Sequence, residues 1–524
     1  MPIPFLLLFF FLFFSPSQTT TTTTATPTTT TPPKGFLIDC GALSGTQFEG
    51  RVWLPDSDFV STGIPKNVTT PSVIIPTLQT VRSFPRLLNK KNCYNVPVYR
   101  GAKYMIRSTY FYGGVNGPDH PFPPVFDQII DGTIWSVVNT TIDYANGNST
   151  FYEAVFLAQS KFMTFCIASN IYTLSDPFLS ALEFIILGDS LYNTTDFTRF
   201  GLTLVARNTF GYSGPSIRYP DDHFDRIWEP FGKSISNNFT KPITANVSVS
   251  GFWNLPPLKL FETHLGSDQL ESLELRWPTP SLPTSKYYTA LYFADNAAFS
   301  RIFNISVNGI TYYRNLNAIP SGVVVFSNQW PLSGPTTITL TPSTTSSLGP
   351  LINAAEIFEV LSLGGRTSTR DVIALEKVKE SFRNPPLDWN GDPCVPRQYS
   401  WSGITCSDGP RIRVVTLNLT SMQISGSLSP FVDNMTALIN IWLRNNSLSG
   451  HIPNLNSLRM LETLHLEDNQ FSGEIPSSLG NISSLNEVFL QNNNLTGQIP
   501  ANLIGKPKLN LRTHGNNLLS PSAP

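Results

Sequence analysis

Six histidines, His120, His223, His264, His451, His465 and His514, are scattered along the chain, and none stands at metal-ligand spacing from another. No Gly-x-Ser-x-Gly elbow occurs, and no free cysteine has an obvious basic neighbour of the kind that activates a thiol. The densest acidic cluster is Asp221-Asp222-His223-x-Asp225. It has two readings: oxygen ligands for a cation or a sugar, or a loop held by Asx turns and caps, and the second is preferred. A glycosidase needs only two carboxylates at a spacing set by its fold, and nothing singles out such a pair. No enzyme, no cofactor and no metal site is expected; the chemistry to look for is binding.

Composition points the same way. With 35 basic and 36 acidic residues the net charge is -1, which excludes nucleic-acid binding driven by phosphate neutralisation. The chain has 41% hydrophobic and 12% aromatic residues, enough to fill substantial cores, and 43 prolines and 34 glycines suit turns and short strands. Its 524 residues suggest about three domains at about 150 residues each.

The compartment is expected to be extracellular. Residues 1–17 open with MPIPFLLLFFFLFFS, too short to span a ~30 Å hydrocarbon layer and suited to a secretory signal. Residues 18–34 are a Thr/Pro-rich linker with no means of building a core. No later segment reaches 18 apolar residues, so no direct membrane span is expected. Glycosylation acceptors stand at Asn67, Asn139, Asn148, Asn193, Asn238, Asn246, Asn304, Asn418, Asn434, Asn445, Asn481 and Asn494. Five cysteines leave one over. Cys394 and Cys406 lie close together around Trp401 and are expected to pair. Cys166, inside the apolar run Phe162 to Ile167, reads as an inert core thiol. That leaves Cys40–Cys93 as the second bridge, a pairing that the spacing does not fix.

Residues 414–519 carry the repeat that must position any binding surface there. Leu438, Leu461, Leu485 and Leu509 begin units 23, 24 and 24 residues apart. Leu443-x-x-Asn446-x-Leu448, Leu466-x-x-Asn469-x-Phe471 and Leu490-x-x-Asn493-x-Leu495 recur, each followed by Gly-x-Ile-Pro. This is a leucine-rich repeat, with leucines inside the solenoid and asparagines satisfying backbone groups at each turn. A weaker unit from Val414 precedes these, with Met422 at the asparagine position. Alternation then places Asn440, Trp442, Arg444, Thr463, His465, Glu467, Glu487, Phe489 and Gln491 on the concave face. Trp442, Arg444, His465, Glu467, Phe489 and Gln491 have the composition of a protein-binding hot spot, although exposed aromatics can also simply clad a sheet. Asn418 and Asn445 are acceptors on or beside this face. Residues 366–413 form an N-terminal cap: Asp371 to Phe382 has one apolar helical face, Val372, Leu375, Val378 and Phe382, with Asp371 as its cap.

Residues 35–365 alternate apolar and polar, with many aromatics. Tyr104 to Tyr112 recurs in character at Tyr287 to Phe293, Phe126 to Gly132 at Phe303 to Gly309, and Pro177 to Glu183 at Pro350 to Glu356. Three matches in one order indicate a tandem duplication, 35–190 and 191–365, each a β-sandwich. The fold class is therefore mostly β: two sandwiches, then a short solenoid, with residues 520–524 as a tail.

Ile38-Asp39-Cys40-Gly41, Val81-Arg82-Ser83-Phe84-Pro85, Asn92-Cys93-Tyr94 and Ile217 to Trp228 resemble the malectin-like domain of plant cell-surface receptors. Gly391-Asp392-Pro393-Cys394 followed by leucine-rich repeats resembles the ectodomain of malectin-like leucine-rich-repeat receptor kinases of the symbiosis-receptor-kinase type. Those kinases continue into a membrane helix and a kinase; this chain has neither His-Arg-Asp nor a Gly-rich loop followed by Val-Ala-x-Lys. The resemblance implies a secreted receptor-like protein in the apoplast or cell wall, held at the plasma membrane by a partner. Animal malectin binds a glucose disaccharide through rings and an aspartate, which implies Tyr104, Tyr110, Tyr112, Asp131 and Trp135 as glycan-binding candidates. The expected partners are a cell-wall glycan or peptide for the sandwiches and a plasma-membrane receptor kinase for the repeat. The alternatives are a wall-associated structural lectin with the repeat as spacer, and a carbohydrate-active enzyme.

Overall fold

In a computed structural model the described residues are 35–69, 75–232, 240–242, 247–249, 251–409 and 411–520, those of 240–242 for their backbone only. The signal and linker expected before Gly35, the acceptors Asn238 and Asn246, and the tail from 521 onward lie outside them. The fold is mostly β, two layered β-sandwich cores followed by a leucine-rich solenoid.

One long sheet runs through both sandwiches. Its order passes from Gly35–Asp39 through Ala181–Ile186, Lys103–Tyr110, Thr150–Leu157, Phe200–Phe210 and Ala354–Ser362 to Leu282–Phe293 and Val323–Gly334. The step that joins the halves is Thr150–Leu157 against Phe200–Phe210, with Ala154 opposite Thr203. Two four-stranded sheets cover it. Lys91–Pro97, Phe162–Ala168, Phe126–Ile130 and Thr133–Val138 cover the first half, and Leu273–Arg276, Thr337–Pro342, Ile302–Val307 and Ile310–Asn317 the second. Strand alternation sends Tyr104, Ile106 and Tyr110 into the first core.

The other face of the same strand carries Arg107, and here the sheet is buried on both sides. Register puts Arg107 opposite Glu183 on one neighbour and Glu153 on the other, and Arg207 opposite Glu356 further along. Ion pairs Arg107–Glu183 (3.1 Å), Arg107–Glu153 (2.9 Å), Arg207–Glu153 (2.7 Å) and Arg207–Glu356 (3.0 Å) make a ribbon of alternating charge across five strands. Tyr192 and Tyr292 hydroxyls donate to Glu356. Mutual pairing is what makes burial of these charges tolerable.

The acidic cluster of the sequence closes this ribbon. Asp225 accepts from Arg218, Arg51 and Arg107, while Asp222 accepts from Arg226, Trp228 and, in an Asx turn, the Phe224 amide. Burial pushes the Asp225 carboxyl up, but Arg218, Arg107 and Arg51 more than offset it and hold it well below the usual carboxylate range. Of its two readings the cluster takes the loop, and its oxygens are spent within the fold.

In the solenoid, Val414–Asn418, Asn440–Trp442, Thr463–His465, Glu487–Phe489 and Asn510–Arg512 form a parallel sheet, and Ile404–Cys406 of the cap pairs antiparallel with its first strand. Leu443, Leu448, Leu464, Leu466 and Leu490 are fully buried, each contributing roughly 2 kcal/mol. The asparagines bond as the repeat predicts: Asn493 donates to the carbonyls of Leu466 and Leu490 and accepts from the Phe471 amide at 2.9 Å. The cap helix is Thr369–Ser381, with Ser368 as N-cap. Asp371 therefore lies inside the helix, and it reaches across to accept from Arg413 Nε (2.8 Å), Arg413 Nη2 (2.9 Å) and the Val414 amide (2.9 Å). It fastens the cap to the first repeat strand.

Candidate partner-binding site

The five residues singled out for sugar do not make a site. Tyr104, Tyr110 and Tyr112 are fully buried and Trp135 is 4% exposed, so no ring face is open for a C–H surface to stack on. Their polar atoms serve the core: Tyr110 donates to Gln128 at 3.0 Å, and Tyr104 accepts from the Tyr99 amide at 3.0 Å. The expectation failed because alternation cannot tell a strand with one wet face from a strand covered on both. Asp131, at the hairpin turn, accepts from the Thr164 amide (2.8 Å) and pairs with Arg366. Burial raises its carboxyl, with Arg366 opposing. The Asp131–Arg366 pair lines two clefts, one of about 460 Å³ between the two sandwich halves, beside Thr198, Arg199 and Leu363, and one of about 310 Å³ between the first sandwich and the cap. Their walls come from segments more than two hundred residues apart, which no local pattern announces.

The cysteines are also redistributed. Cys394 and Cys406 are bonded as expected, but the second bridge is Cys93–Cys166, and Cys40 is a free, buried thiol. The strands Lys91–Pro97 and Phe162–Ala168 pair with Cys166 directly opposite Cys93. Met163, Phe165 and Ile167 face the sandwich core, so Cys166 faces the other way, beside Ile129 and Tyr399 of the cap. The apolar run that made Cys166 look like a core thiol is a strand covered on its outer side by the cap. Burial raises the Cys40 thiol well above its ordinary value.

That outer contact is a weld. The Lys91 ammonium, 2% exposed, donates to the carbonyls of Asp392 (2.5 Å), Val395 (3.0 Å) and Tyr399 (2.8 Å). Tyr399 donates to Asp127 at 2.6 Å, and Lys90 pairs with Asp388 at 2.9 Å. Gly391 has φ +65°, and a Cβ there would lie 2.5 Å from Cys93 Sγ, so the Gly-Asp-Pro-Cys loop sits directly on the disulfide.

On the concave face of the solenoid the candidates do come together. Parallel register aligns Trp442, His465 and Phe489, with Arg512 on the next strand. Strands spaced ~4.8 Å apart bring such side chains to stacking distance. Trp442 and His465 centroids are 6.0 Å apart, His465 and Phe489 are 4.4 Å apart at 14°, and the Arg512 guanidinium lies 4.3 Å from the Phe489 centroid. Trp442, His465 and Phe489 are half-buried. Beside them Trp442 Nε1 donates to Thr463 (2.7 Å), Thr463 to Asn440 (2.8 Å), and His465 Nε2 meets Glu487 at 3.0 Å. Arg444 is exposed, Glu467 is buried at 5% exposure, and Gln491 is half-buried. The stack's fourth member, Arg512, was missed because its repeat is degenerate; counting 23 residues on from Phe489 finds it. Asn418, itself a glycosylation acceptor, is opposite Trp442 at the stack's N-terminal end. None of the ten described acceptor asparagines is buried.

Among the described residues no helix is long and apolar enough to cross a membrane, and no group of three His, Cys, Asp or Glu could hold a metal ion. The malectin-like domain family matches residues 38–360, the leucine rich repeat N-terminal domain residues 368–407, and a leucine rich repeat residues 460–482. A leucine-rich repeat receptor-like serine/threonine-protein kinase of Arabidopsis thaliana is 30% identical over 429 residues, 77% of this chain and 47% of the kinase. A second, putative one from the same plant is 31% identical, over 74% of this chain and 44% of its own length. The chain thus spans under half the length of these relatives. Among solved structures, the ANX2 ectodomain from Arabidopsis thaliana aligns with a TM-score of 0.52 at 15% identity, covering 62% of this chain and 96% of its own. A structure of the plant peptide RALF23 in complex with FER and LLG2 aligns at 0.52 and 16%, covering 63% and 96%. At these identities what is shared is the fold.

Proposed function

The chain belongs to the malectin-like domain family and carries the malectin-like and leucine-rich-repeat region of receptor-type proteins, and from that premise we propose that it is a non-catalytic extracellular recognition protein. Its solenoid engages a protein or peptide partner, a plasma-membrane receptor kinase ectodomain being the first to test. The observation that carries this is the stack of Trp442, His465, Phe489 and Arg512 on an open sheet. Half-exposed aromatics flanked by arginine are what protein hot spots are made of. A solved neighbour of the same fold is in complex with a peptide, which supports a peptide as ligand.

The test uses the secreted full chain with the ectodomains of malectin-like receptor kinases as baits. Trp442→Ala with Phe489→Ala lowers capture at least tenfold at unchanged melting temperature. Capture unaffected by the double variant removes the solenoid face from the proposal. A glycan reading is to be tested at the clefts beside Asp131 and Arg366, the larger of which, at about 460 Å³, suits a short oligosaccharide. Calorimetric titration with glucose disaccharides and pectin fragments decides it: no heat with wild type, or equal heat with Arg366→Ala, ends that reading.

A further inference from the structure

Glu467 and Gln491 occupy the same position of consecutive repeats. The register that aligns His465 with Phe489 continues past the strands, where the Asp468 amide donates to the Gln491 carbonyl at 3.1 Å. Leu464 and Leu466 point inward and are fully buried, so alternation turns Glu467 to the concave side. Glu467 is nonetheless only 5% exposed, and its Oε2 has no hydrogen-bond partner; neither has the buried Oε1 of Gln491. A carboxylate oxygen and an amide oxygen at equivalent positions of neighbouring repeats are thus both desolvated, and each is an acceptor only. Such groups require donors.

Among the described residues no cation of this face, including the exposed His514 next to Gln491, donates to either oxygen. His465 is committed to Glu487, and Arg512 lies over the Phe489 ring. Asn492 donates to Asp468 at 2.7 Å. Arg444, at the equivalent position of the preceding repeat, is exposed and makes no ion pair among the described residues. The missing donor is therefore external. It must carry positive charge for Glu467, present N–H groups to two neighbouring acceptors, and fit beside the flat His465–Phe489 stack. A guanidinium meets all three conditions, because its N–H groups form a rigid planar fork and its plane packs on aromatic rings. We propose that Glu467 and Gln491 form a notch that receives an arginine side chain of the partner. This rests on the reading of the solenoid face as a partner surface, and names the chemistry that the surface selects.

The probe is a blocked heptapeptide of glycine and serine with one central arginine, titrated calorimetrically into the secreted, glycosylated full chain. Its counterparts carry citrulline, which keeps the shape without the charge, or lysine. The arginine peptide saturates the protein in the millimolar range or tighter, and citrulline binds at least tenfold more weakly. Lysine falls between. Glu467→Gln loses the preference for arginine over citrulline, and Gln491→Leu weakens arginine binding several-fold, a second route should Glu467→Gln fail to fold. Glu487→Gln, altering the exposed carboxylate paired with His465, leaves the preference intact. Equal binding of arginine and citrulline overturns the notch, and so does an equal loss with Glu487→Gln, which would mean diffuse attraction to an acidic face. The two levels separate cleanly. If ring substitution abolishes ectodomain capture while Glu467→Gln binds the arginine peptide like wild type, the notch fails and the partner surface stands. If the arginine preference holds and no ectodomain is captured, the partner reading fails alone.

Discussion

Lys91→Met tests the weld between the first sandwich and the cap. The ammonium donates to three carbonyls of the cap loop and is 2% exposed. Methionine fills similar space and donates to none of them. Orphaning three buried carbonyls costs about 1 kcal/mol or more each, ~3 kcal/mol together, a loss that at pH 7 is offset by removal of the buried charge and stands in full once the amine is neutral. The pH dependence gives the sharper outcome. Burial pushes the Lys91 pKa from 10.5 down to about 8, with Asp392 and Asp388 opposing. Between those values the unfolded chain holds more protons than the folded one, so stability rises with pH. The penalty is present in full below pH 8 and is relieved as pH climbs toward 10.5. At 1.36 kcal/mol per unit, the advantage of wild type over Lys91→Met widens by roughly 3 kcal/mol across that window. Urea unfolding at fixed pH from 7 to 10.5, read by fluorescence of the stacked Trp389–Trp401 pair, measures both quantities. If the gap narrows as pH rises, attraction to the two aspartates outweighs desolvation and the reasoning is refuted. No loss of stability in Lys91→Met even at pH 10.5 would refute the three-carbonyl account outright.

Two further outcomes follow from the assigned covalent and repeat structure. Non-reducing peptide mapping yields a Cys93–Cys166 linked fragment and an alkylatable Cys40 only after unfolding; loss of this bridge in Cys93→Ser with Cys166→Ser, whose cysteines are 73 residues apart, destabilises by ~4 kcal/mol in chemical denaturation. Asn493→Ala strands the Phe471 amide and the Leu466 and Leu490 carbonyls, so stability falls by about 2–4 kcal/mol, whereas Asn494→Ala, on the exposed neighbour, changes it by less than 0.5 kcal/mol.

The solenoid was legible because each repeat satisfies itself locally. Leu, Asn and Pro recur in register, and Asn446, Asn469 and Asn493 bond as their positions predict. The concave face followed from alternation, and so did the placing of Trp442, His465 and Phe489, since neighbouring strands there are consecutive repeats. The sandwiches are held by non-local pairings, and there local reading failed. Tyr104 and Tyr110 alternate like residues of a half-wet strand, but what covers each side arrives from elsewhere in the chain. The Cys93–Cys166 bond depends on which strands pair, and spacing carries no record of that. The destination of Asp371, the Arg413 guanidinium, could be anticipated only once the cap was known to lie on the first repeat.

The sheet that runs unbroken through both sandwiches, with its ribbon of five alternating charges, bears on how such a protein conveys that it is occupied. The two halves share a strand pairing, and the cap is fastened to the first of them, an arrangement that opposes clamshell closure around a guest. A ligand shifts an equilibrium only by preferring one of two states, and closing one half against the other would have to break the strand pairing that joins them. What occupancy changes is company. On the proposed function, a guest on one surface and a receptor on another would each raise the local concentration of the other. The protein would then work as a bracket, transmitting proximity in place of motion.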